Sequence, residues 1–260
     1  MKAPWKQVLS LALCGAVLTG ALALGAGAAD AGSFTDAKSV THWQAVATLA
    51  KLDVISGKED GSFDPGGAVT RAEAAKMAAL LVTGGETPWT DPDFLPSLGA
   101  GSSYPDIAGH WAQPYIEYAT VLGLFSGRED GSFDPDGLVT GSELARVVLV
   151  GLGYDSEVWG LVGPDWEINT NAFANAPEAN LFAGLDAADP SLPYNRENTA
   201  QLLYNALGAT VMEKTRDGVL STGEVTYKYV LATDGAGAPV TLLQSRFHLD
   251  AVTDLPAQPV

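Results

Sequence analysis

Apolar positions recur at helical spacing in four segments, which form two pairs about 70 residues apart. A stripe of this kind is typical of a helix that buries one face. The four stripes consist of Val46, Leu49, Ala50 and Val54; Ala74, Met77, Ala78 and Leu81; Tyr115, Ile116, Ala119, Leu122 and Leu124; and Leu144, Val147, Val148 and Leu152. The pattern therefore predicts two helix–loop–helix units.

Local signals place the ends of these helices. Thr70 with Glu73, and Thr140 with Glu143, have the spacing of a capping box, so each pair predicts a helix start. Gly57 and Gly127 follow the first helix of each unit, and we expect them to end it by taking a positive φ.

The loop between the helices is a sequence repeat. The ten residues 56–65 recur at 126–135 with one change, a lysine for an arginine, and both copies contain Asp-Gly-Ser-Phe, which favours a tight turn. A third, divergent copy is indicated where Leu181-Phe182-Ala183-Gly184 matches the residues before the second loop. One such unit cannot bury its apolar face alone, whereas three can pack around a shared axis.

The end of the chain has a different pattern. Residues 225–231 alternate as a strand does, Asp234-Gly235 marks a turn, and residues 240–243 are the expected partner strand. We therefore predict a mainly α protein with a short β-rich C-terminal tail. The expected segments are a signal peptide at 1–29, repeats at 34–84, 104–154 and 164–209, a linker at 85–103, and the tail at 211–260.

Composition narrows the function. The 260 residues carry a formal net charge of −17, which argues against nucleic acid and against anionic lipid surfaces as partners. Lys2 and Lys6 precede an apolar run that ends in small residues, the pattern of a secretory signal peptide, with a retained membrane anchor as the alternative. The single cysteine, Cys14, lies in that run, so we expect a secreted mature protein without disulfides, thiol catalysis or cysteine metal sites.

Together the motifs resemble the S-layer homology domain. The resemblance rests on Phe34-x-Asp and Tyr104-x-Asp, on His42-Trp43 and His110-Trp111, on the repeated loop, and on Thr70-Arg71-Ala72-Glu73. It implies a three-pronged, pseudo-threefold spindle around a central three-helix bundle. It also implies binding of a secondary cell-wall polysaccharide, often bearing pyruvate ketals, in the grooves between the prongs.

The resemblance also suggests the binding residues. The motif arginine of the family falls on Arg71 and Arg196, whereas Gly141 stands at that position in the second copy. A guanidinium suits the carboxylate of a ketal because it can donate two parallel hydrogen bonds. The resemblance would make Trp43 and Trp111 apolar surface near the grooves, although we favour core packing for both, and Gly57 and Gly127 points where a sugar approaches the backbone. With Gly141 in place of an arginine, we expect one or two working grooves.

The sequence gives less support to metal binding and to catalysis. The aspartates Asp60, Asp64, Asp130 and Asp134 are better explained as turn residues than as calcium ligands, because Phe and Pro interrupt the ligand spacing. We expect no metal site, cofactor or catalytic residue, and so no enzyme. Two alternatives to wall anchoring stay open: a self-assembling surface-layer subunit, and an adaptor without a ligand of its own. A peptidoglycan-linked glycan is a second candidate ligand.

Overall fold

The computed structural model describes residues 34–87 and 103–259. The predicted signal peptide, Cys14 and most of the linker lie outside these residues. The described elements are α1 (Trp43–Lys51), α2 (Arg71–Thr83), α3 (Gln113–Val121), α4 (Gly141–Gly151), α5 (Trp166–Ala174), α6 (Arg196–Gly208), β1 (Met212–Val219) and β2 (Val225–Leu231). Short 3₁₀ turns at Ala37–Ser39 and Pro105–Ile107 precede α1 and α3. The predicted class, mainly α with a small β tail, is confirmed.

Helices α2 and α4 begin where the capping boxes predicted. The Thr70 hydroxyl accepts from the Glu73 backbone N–H, and the Glu73 carboxylate accepts from the Thr70 N–H; Thr140 and Glu143 repeat both bonds. In the third unit the Asn195 side chain accepts from the Asn198 N–H at 2.7 Å. Each box satisfies N–H groups that the first turn of a helix leaves unpaired.

The expectation about Gly57 and Gly127 was wrong. Helix α1 ends before Asp53, whose φ is 57°, and α3 ends before Gly123, whose φ is 72°. Gly57 and Gly127 lie further along the loop, and neither has a positive φ. Glycine is instead required for steric reasons. A Cβ atom on Gly57 would come within 2.8 Å of the Phe34 ring and 2.9 Å of the Ser62 carbonyl oxygen.

The three helix pairs exchange partners in the folded chain. The first helix of each unit packs on the second helix of the preceding unit: α3 on α2, α5 on α4, and α1 on α6, which closes the circle. Helix α4 also contacts α2 and α6. Each packed helix pair therefore combines helices from two different units, so a single unit does not form a core by itself.

A ring of backbone hydrogen bonds joins the three units just before α2, α4 and α6. The Val69 N–H donates to the Tyr194 carbonyl at 3.2 Å, the Val139 N–H to the Val69 carbonyl at 3.1 Å, and the Tyr194 N–H to the Val139 carbonyl at 3.1 Å. The ring places Tyr194 in the third unit at the position that Val69 and Val139 hold in the other two. These hydrogen bonds therefore join the segments before all three helices directly to one another.

The tail forms an antiparallel hairpin, but with a partner that we did not expect. Strand β2 covers the predicted residues and pairs along its length with β1, with a bulge between Arg216 and Gly218. Residues 240–243 contribute only isolated backbone bonds, such as Val240 N–H to the Ala232 carbonyl, before a π-helical turn at Leu243–Phe247. Within the described residues, no helix combines the length and the apolar character needed to span a membrane.

Candidate functional site

Two grooves open between the units. We call groove A the cleft of about 430 Å³ lined by Val54, Ile55, Ser56, Gly57, Lys58, Glu59, Glu73, Lys76, Met77, Trp111 and Arg196. We call groove B the cleft of about 350 Å³ lined by Arg71, Phe125, Ser126, Gly127, Arg128, Glu143, Arg146, Val147, Leu161, Val162, Gly163 and Trp166. Each groove combines the loop of one unit, an arginine from the unit before it in the cycle and a tryptophan from the unit after it.

Arg196 joins the third unit to the first at the floor of groove A. Its Nε donates to the Phe63 carbonyl at 2.7 Å and its Nη2 to the Ser56 carbonyl at 2.7 Å. The guanidinium carbon lies 5.0 Å from the centre of the Phe63 ring, and Nη1 lies 3.5 Å from Glu73 Oε1. Only 7% of the residue is exposed, so the guanidinium is held rigidly.

Arg71 makes the same contacts in groove B, one unit further on. Its Nε donates to the Phe133 carbonyl and its Nη2 to the Ser126 carbonyl, both at 2.9 Å, and its guanidinium carbon lies 4.7 Å from the Phe133 ring centre. Burial lowers the pKa of both motif arginines, and the carboxylates of Glu143 and Glu73 oppose this by stabilising the charge of Arg71 and Arg196 respectively. Arginine pKa values start so high that both guanidiniums stay charged near neutral pH.

Both motif arginines keep one edge for other partners. A guanidinium has five N–H groups, and the two backbone carbonyls use one edge of it, Nε with one Nη2 hydrogen. Nη1 is left with a long contact to a glutamate, at 3.5 Å for Arg196 and 3.7 Å for Arg71. The arginines are therefore structural links between units that can still donate into the grooves.

The two tryptophans predicted near the grooves differ. Trp111 lies on the wall of groove A and is 56% exposed, so core packing does not describe it. Trp43 lines neither groove; it is half-buried, and its indole N–H donates to the Pro256 carbonyl at 2.9 Å. The tryptophan of groove B is Trp166, which we did not select.

In α4 the position of the motif arginine is occupied by Gly141, and the ring of Tyr194 fills the space that a side chain would need. Gly141 is buried, and a Cβ atom on it would overlap the Tyr194 ring and come within 2.9 Å of the Pro190 Cα. Tyr194 is 2% exposed, so its ring fills the place beside Gly141. No arginine side chain can leave from that position in this packing.

Sequence reasoning missed most of the cations of the grooves. Lys58 and Arg128 are equivalent loop residues, and Lys76 and Arg146 lie five residues after the motif position in α2 and α4. The signal was available, because a basic residue recurs at both positions in an acidic chain. The same residues would look like ordinary solvated charges without the fold that brings three units together.

The acidic loop residues act as turn residues in the structure. Asp60 Oδ1 accepts from the Ser62 N–H and hydroxyl, and Asp130 does the same with Ser132. Among the residues described, no group of three or more His, Cys, Asp and Glu side chains is arranged to hold a metal ion.

Comparison with known proteins matches the same repeats. The family model of the S-layer homology domain matches residues 33–75 and 103–145. Cell surface glycoprotein 1 of Acetivibrio thermocellus is 44% identical over 98 residues, which are 36% of this chain and 4% of that protein. An S-layer protein of Bacillus thuringiensis subsp. finitimus is 28% identical over 88% of this chain and 28% of its own length. A cellulosome-anchoring protein of Acetivibrio thermocellus is 30% identical over 51% of this chain and 29% of its own length.

The chain thus corresponds to less than a third of the length of each of these three relatives. The residues that the family model matches include the two loops and the two capping boxes beside grooves A and B. The chain carries two S-layer homology domains, at residues 33–75 and 103–145.

Proposed function

We propose that this chain anchors to the bacterial cell wall by binding a secondary cell-wall polysaccharide in the grooves between its units. One observation carries the proposal. The chain has a net charge of −17 and 14 basic residues, yet six of the lysines and arginines line the two grooves. Cations gathered in clefts of an acidic protein favour a local anionic ligand over a general electrostatic attraction.

The chemistry of the grooves suits a carboxylate on a sugar. The Nη edges of Arg71 and Arg196, which make only long contacts to glutamates, can donate charge-assisted hydrogen bonds, which are stronger than neutral ones. Gly57 and Gly127 contribute loop backbone to the lining of the grooves, and Trp111 offers an exposed aromatic face for the apolar side of a sugar ring. A pyruvate ketal would supply both the carboxylate and an apolar methyl group.

The names of the relatives agree with this role. They include S-layer, cell-surface and cellulosome-anchoring proteins, which support a secreted protein of the cell wall or cell surface. They also favour a non-catalytic role, although one relative is named an uncharacterized cell wall amidase of Bacillus anthracis, over 20% of its length. In this proposal residues 164–209 act as a divergent third repeat, which supplies Arg196 and Trp166 to the two grooves.

Co-sedimentation with purified sacculi tests the proposal. Residues 30–260 should sediment with sacculi, and extraction of the secondary polymer with acid should abolish binding. Binding that survives the extraction would point to peptidoglycan as the ligand. If neither preparation carries the protein down, wall anchoring through this chain is wrong.

Self-association is the second candidate function, and the hairpin favours it. Val219, Tyr227 and Leu231 are 51%, 55% and 39% exposed on a sheet of two strands. Two-stranded sheets keep unpaired edges that can add a further strand. Sedimentation velocity across a hundredfold range of concentration separates the cases: oligomers without wall material support a lattice role, and a constant monomer excludes it.

A further inference from the structure

Grooves A and B are equivalent in position but differ in how far the chain itself satisfies their cations. Lys58 and Lys76 of groove A correspond to Arg128 and Arg146 of groove B, by their place in the repeated loop and helix. Since the two grooves share one architecture, the difference between them isolates the groups that are available to a ligand.

In groove B, hydrogen bonds and ion pairs within the chain already engage Arg128 and Arg146. Arg146 donates from Nε to the Leu161 carbonyl at 2.8 Å and from Nη1 to the Leu124 carbonyl at 3.2 Å. Arg128 pairs with Asp134 at 3.1 Å and with Glu143 at 3.4 Å. A ligand carboxylate would have to displace these internal partners.

In groove A, Lys76 has no ion pair among the described residues. Lys58 takes the Glu73 carboxylate at 2.9 Å, and Arg196 shares it at 3.5 Å. Lys76 is half-buried in α2, and in the part of the chain that the structure describes its one hydrogen bond is a long contact of 3.4 Å to the Ser56 hydroxyl. Burial lowers the pKa of Lys76, and the charge of Arg196 adds to this.

The opposite wall of groove A is also open. Trp111 is 56% exposed, and its ring lies tilted against those of His110 and Tyr115, at 5.5 Å and 6.4 Å between ring centres. Its indole N–H makes no hydrogen bond within the described residues. In groove B the equivalent tryptophan, Trp166, is half-buried, and the same wall carries Leu161 and Val162, which belong to the segment that hydrogen-bonds Arg146.

We propose that groove A is the ligand-binding groove of this chain, with Lys76 as the cation that pairs with the ligand carboxylate and Trp111 as the surface for the sugar ring. Groove B then serves mainly as the joint between the second and third units. This inference rests on the proposed wall-binding function and assigns it to one site.

The test compares single charge removals by co-sedimentation with sacculi that keep their secondary polymer. Lys76→Gln should weaken the apparent affinity about ten- to hundredfold, the range expected for one hydrogen-bonded charge. Lys38→Gln on the exposed surface removes the same charge and should stay within twofold of the unmodified protein, and Arg128→Gln in groove B should weaken binding much less than Lys76→Gln does. Lys76→Arg should retain most of the binding.

The outcomes separate the two proposals. If the unmodified protein binds and Lys76→Gln binds equally well, or Arg128→Gln loses as much, the assignment to groove A is wrong while wall binding stands. If the unmodified protein does not bind, both proposals fail. Thermal unfolding of each variant, with the same midpoint as the unmodified protein, excludes misfolding as the cause of a loss.

A second readout follows Trp111 directly. The unmodified protein should show a change in indole fluorescence when titrated with a methyl hexoside that carries a 4,6-linked pyruvate ketal, and no change with the ketal-free sugar. Trp111→Phe should remove that signal. An unchanged signal in Trp111→Phe would assign the ligand to another tryptophan and overturn the role of groove A.

Discussion

At the scale of single residues, the motif arginines owe their burial to the neighbouring unit. Arg71 supplies hydrogen bonds to two backbone carbonyls of the second unit and a cation–π contact to Phe133. Loss of the side chain leaves these carbonyls without a partner inside the protein, which costs more than the bonds themselves contribute. A residue selected for ligand binding is therefore also a stability residue.

Arg71→Ala should lower the free energy of unfolding by about 3 kcal/mol, because the buried Phe133 carbonyl loses a charged donor and the cation–π contact to the Phe133 ring is lost. Chemical denaturation measures the change. Arg216→Ala, on an exposed strand position, is the matched control and should stay within about 0.5 kcal/mol. An Arg71→Ala protein as stable as this control would show that the interunit bonds contribute nothing net.

Gly141→Ala should lower the free energy of unfolding by about 1–3 kcal/mol through overpacking against Tyr194, although alanine has the better helix propensity. Gly66→Ala is the control, since no heavy atom lies within 4 Å of the added Cβ. The second substitution Tyr194→Leu should recover part of the loss. Additive effects in this double-mutant cycle would contradict direct contact between the two positions.

At the scale of elements, the hairpin is attached to the repeats by a short hydrogen bond. The Tyr229 hydroxyl donates to Asp155 Oδ2 at 2.6 Å. Burial works to raise the pKa of Asp155, but the Tyr229 hydroxyl and the Val158 and Glu157 N–H groups outweigh it and hold the pKa below its ordinary value. The ionised carboxylate is therefore the form that favours the folded state.

Tyr229→Phe should lower the free energy of unfolding by about 1–2 kcal/mol near neutral pH. Because a depressed carboxyl pKa contributes stability above the ordinary value of 3.8 and loses it as the pH falls through the folded value, the difference should shrink below about pH 4. Urea unfolding at several pH values measures this. Tyr227→Phe is the control, since within the described residues the Tyr227 hydroxyl makes no hydrogen bond; an equal loss in both variants would contradict the role of Asp155.

Element prediction succeeded where the determinants are local. The capping boxes located the starts of α2 and α4, and the alternation of residues 225–231 located β2. The partner of β2 was missed because β1 carries Glu213, Lys214, Arg216 and Asp217 and has no apolar alternation. The end of α1 was missed because Asp53, which is not a glycine, takes the positive φ, whereas at the end of α3 the signal was present in Gly123.

At the scale of the whole molecule, the exchange of helices between units determines the binding site. Sequence predicted that three units share an axis, and the motif identified Arg71 and Arg196. It did not show that each groove takes an arginine from one unit and a tryptophan from another, because these contacts join residues up to 140 positions apart. Lys76 becomes a candidate site residue only through that exchange, which also places the predicted Trp111 on the wall of groove A.

The end of the described chain also joins distant parts. The Trp43 indole N–H donates to the Pro256 carbonyl at 2.9 Å, and the Gln258 side chain donates to the Val40 carbonyl at 2.7 Å. Deletion of residues 252–260 should therefore lower the thermal midpoint by several degrees and expose residues 34–51 to proteolysis first. Mass spectrometry of early cleavage sites checks this, and first cuts in the third unit instead would contradict it.

Ligand binding in the grooves is tested most directly by two variants that remove equal charge, one from the grooves and one from the surface. One protein carries Lys58→Gln, Lys76→Gln and Arg128→Gln; the other carries Lys38→Gln, Arg216→Gln and Lys228→Gln, so both become more acidic by three charges. We predict that the groove variant no longer sediments with polymer-bearing sacculi, whereas the surface variant sediments like the unmodified protein. An equal loss of sedimentation in both variants would show that overall charge alone accounts for the binding. Sedimentation of the groove variant would contradict a ligand site in the grooves.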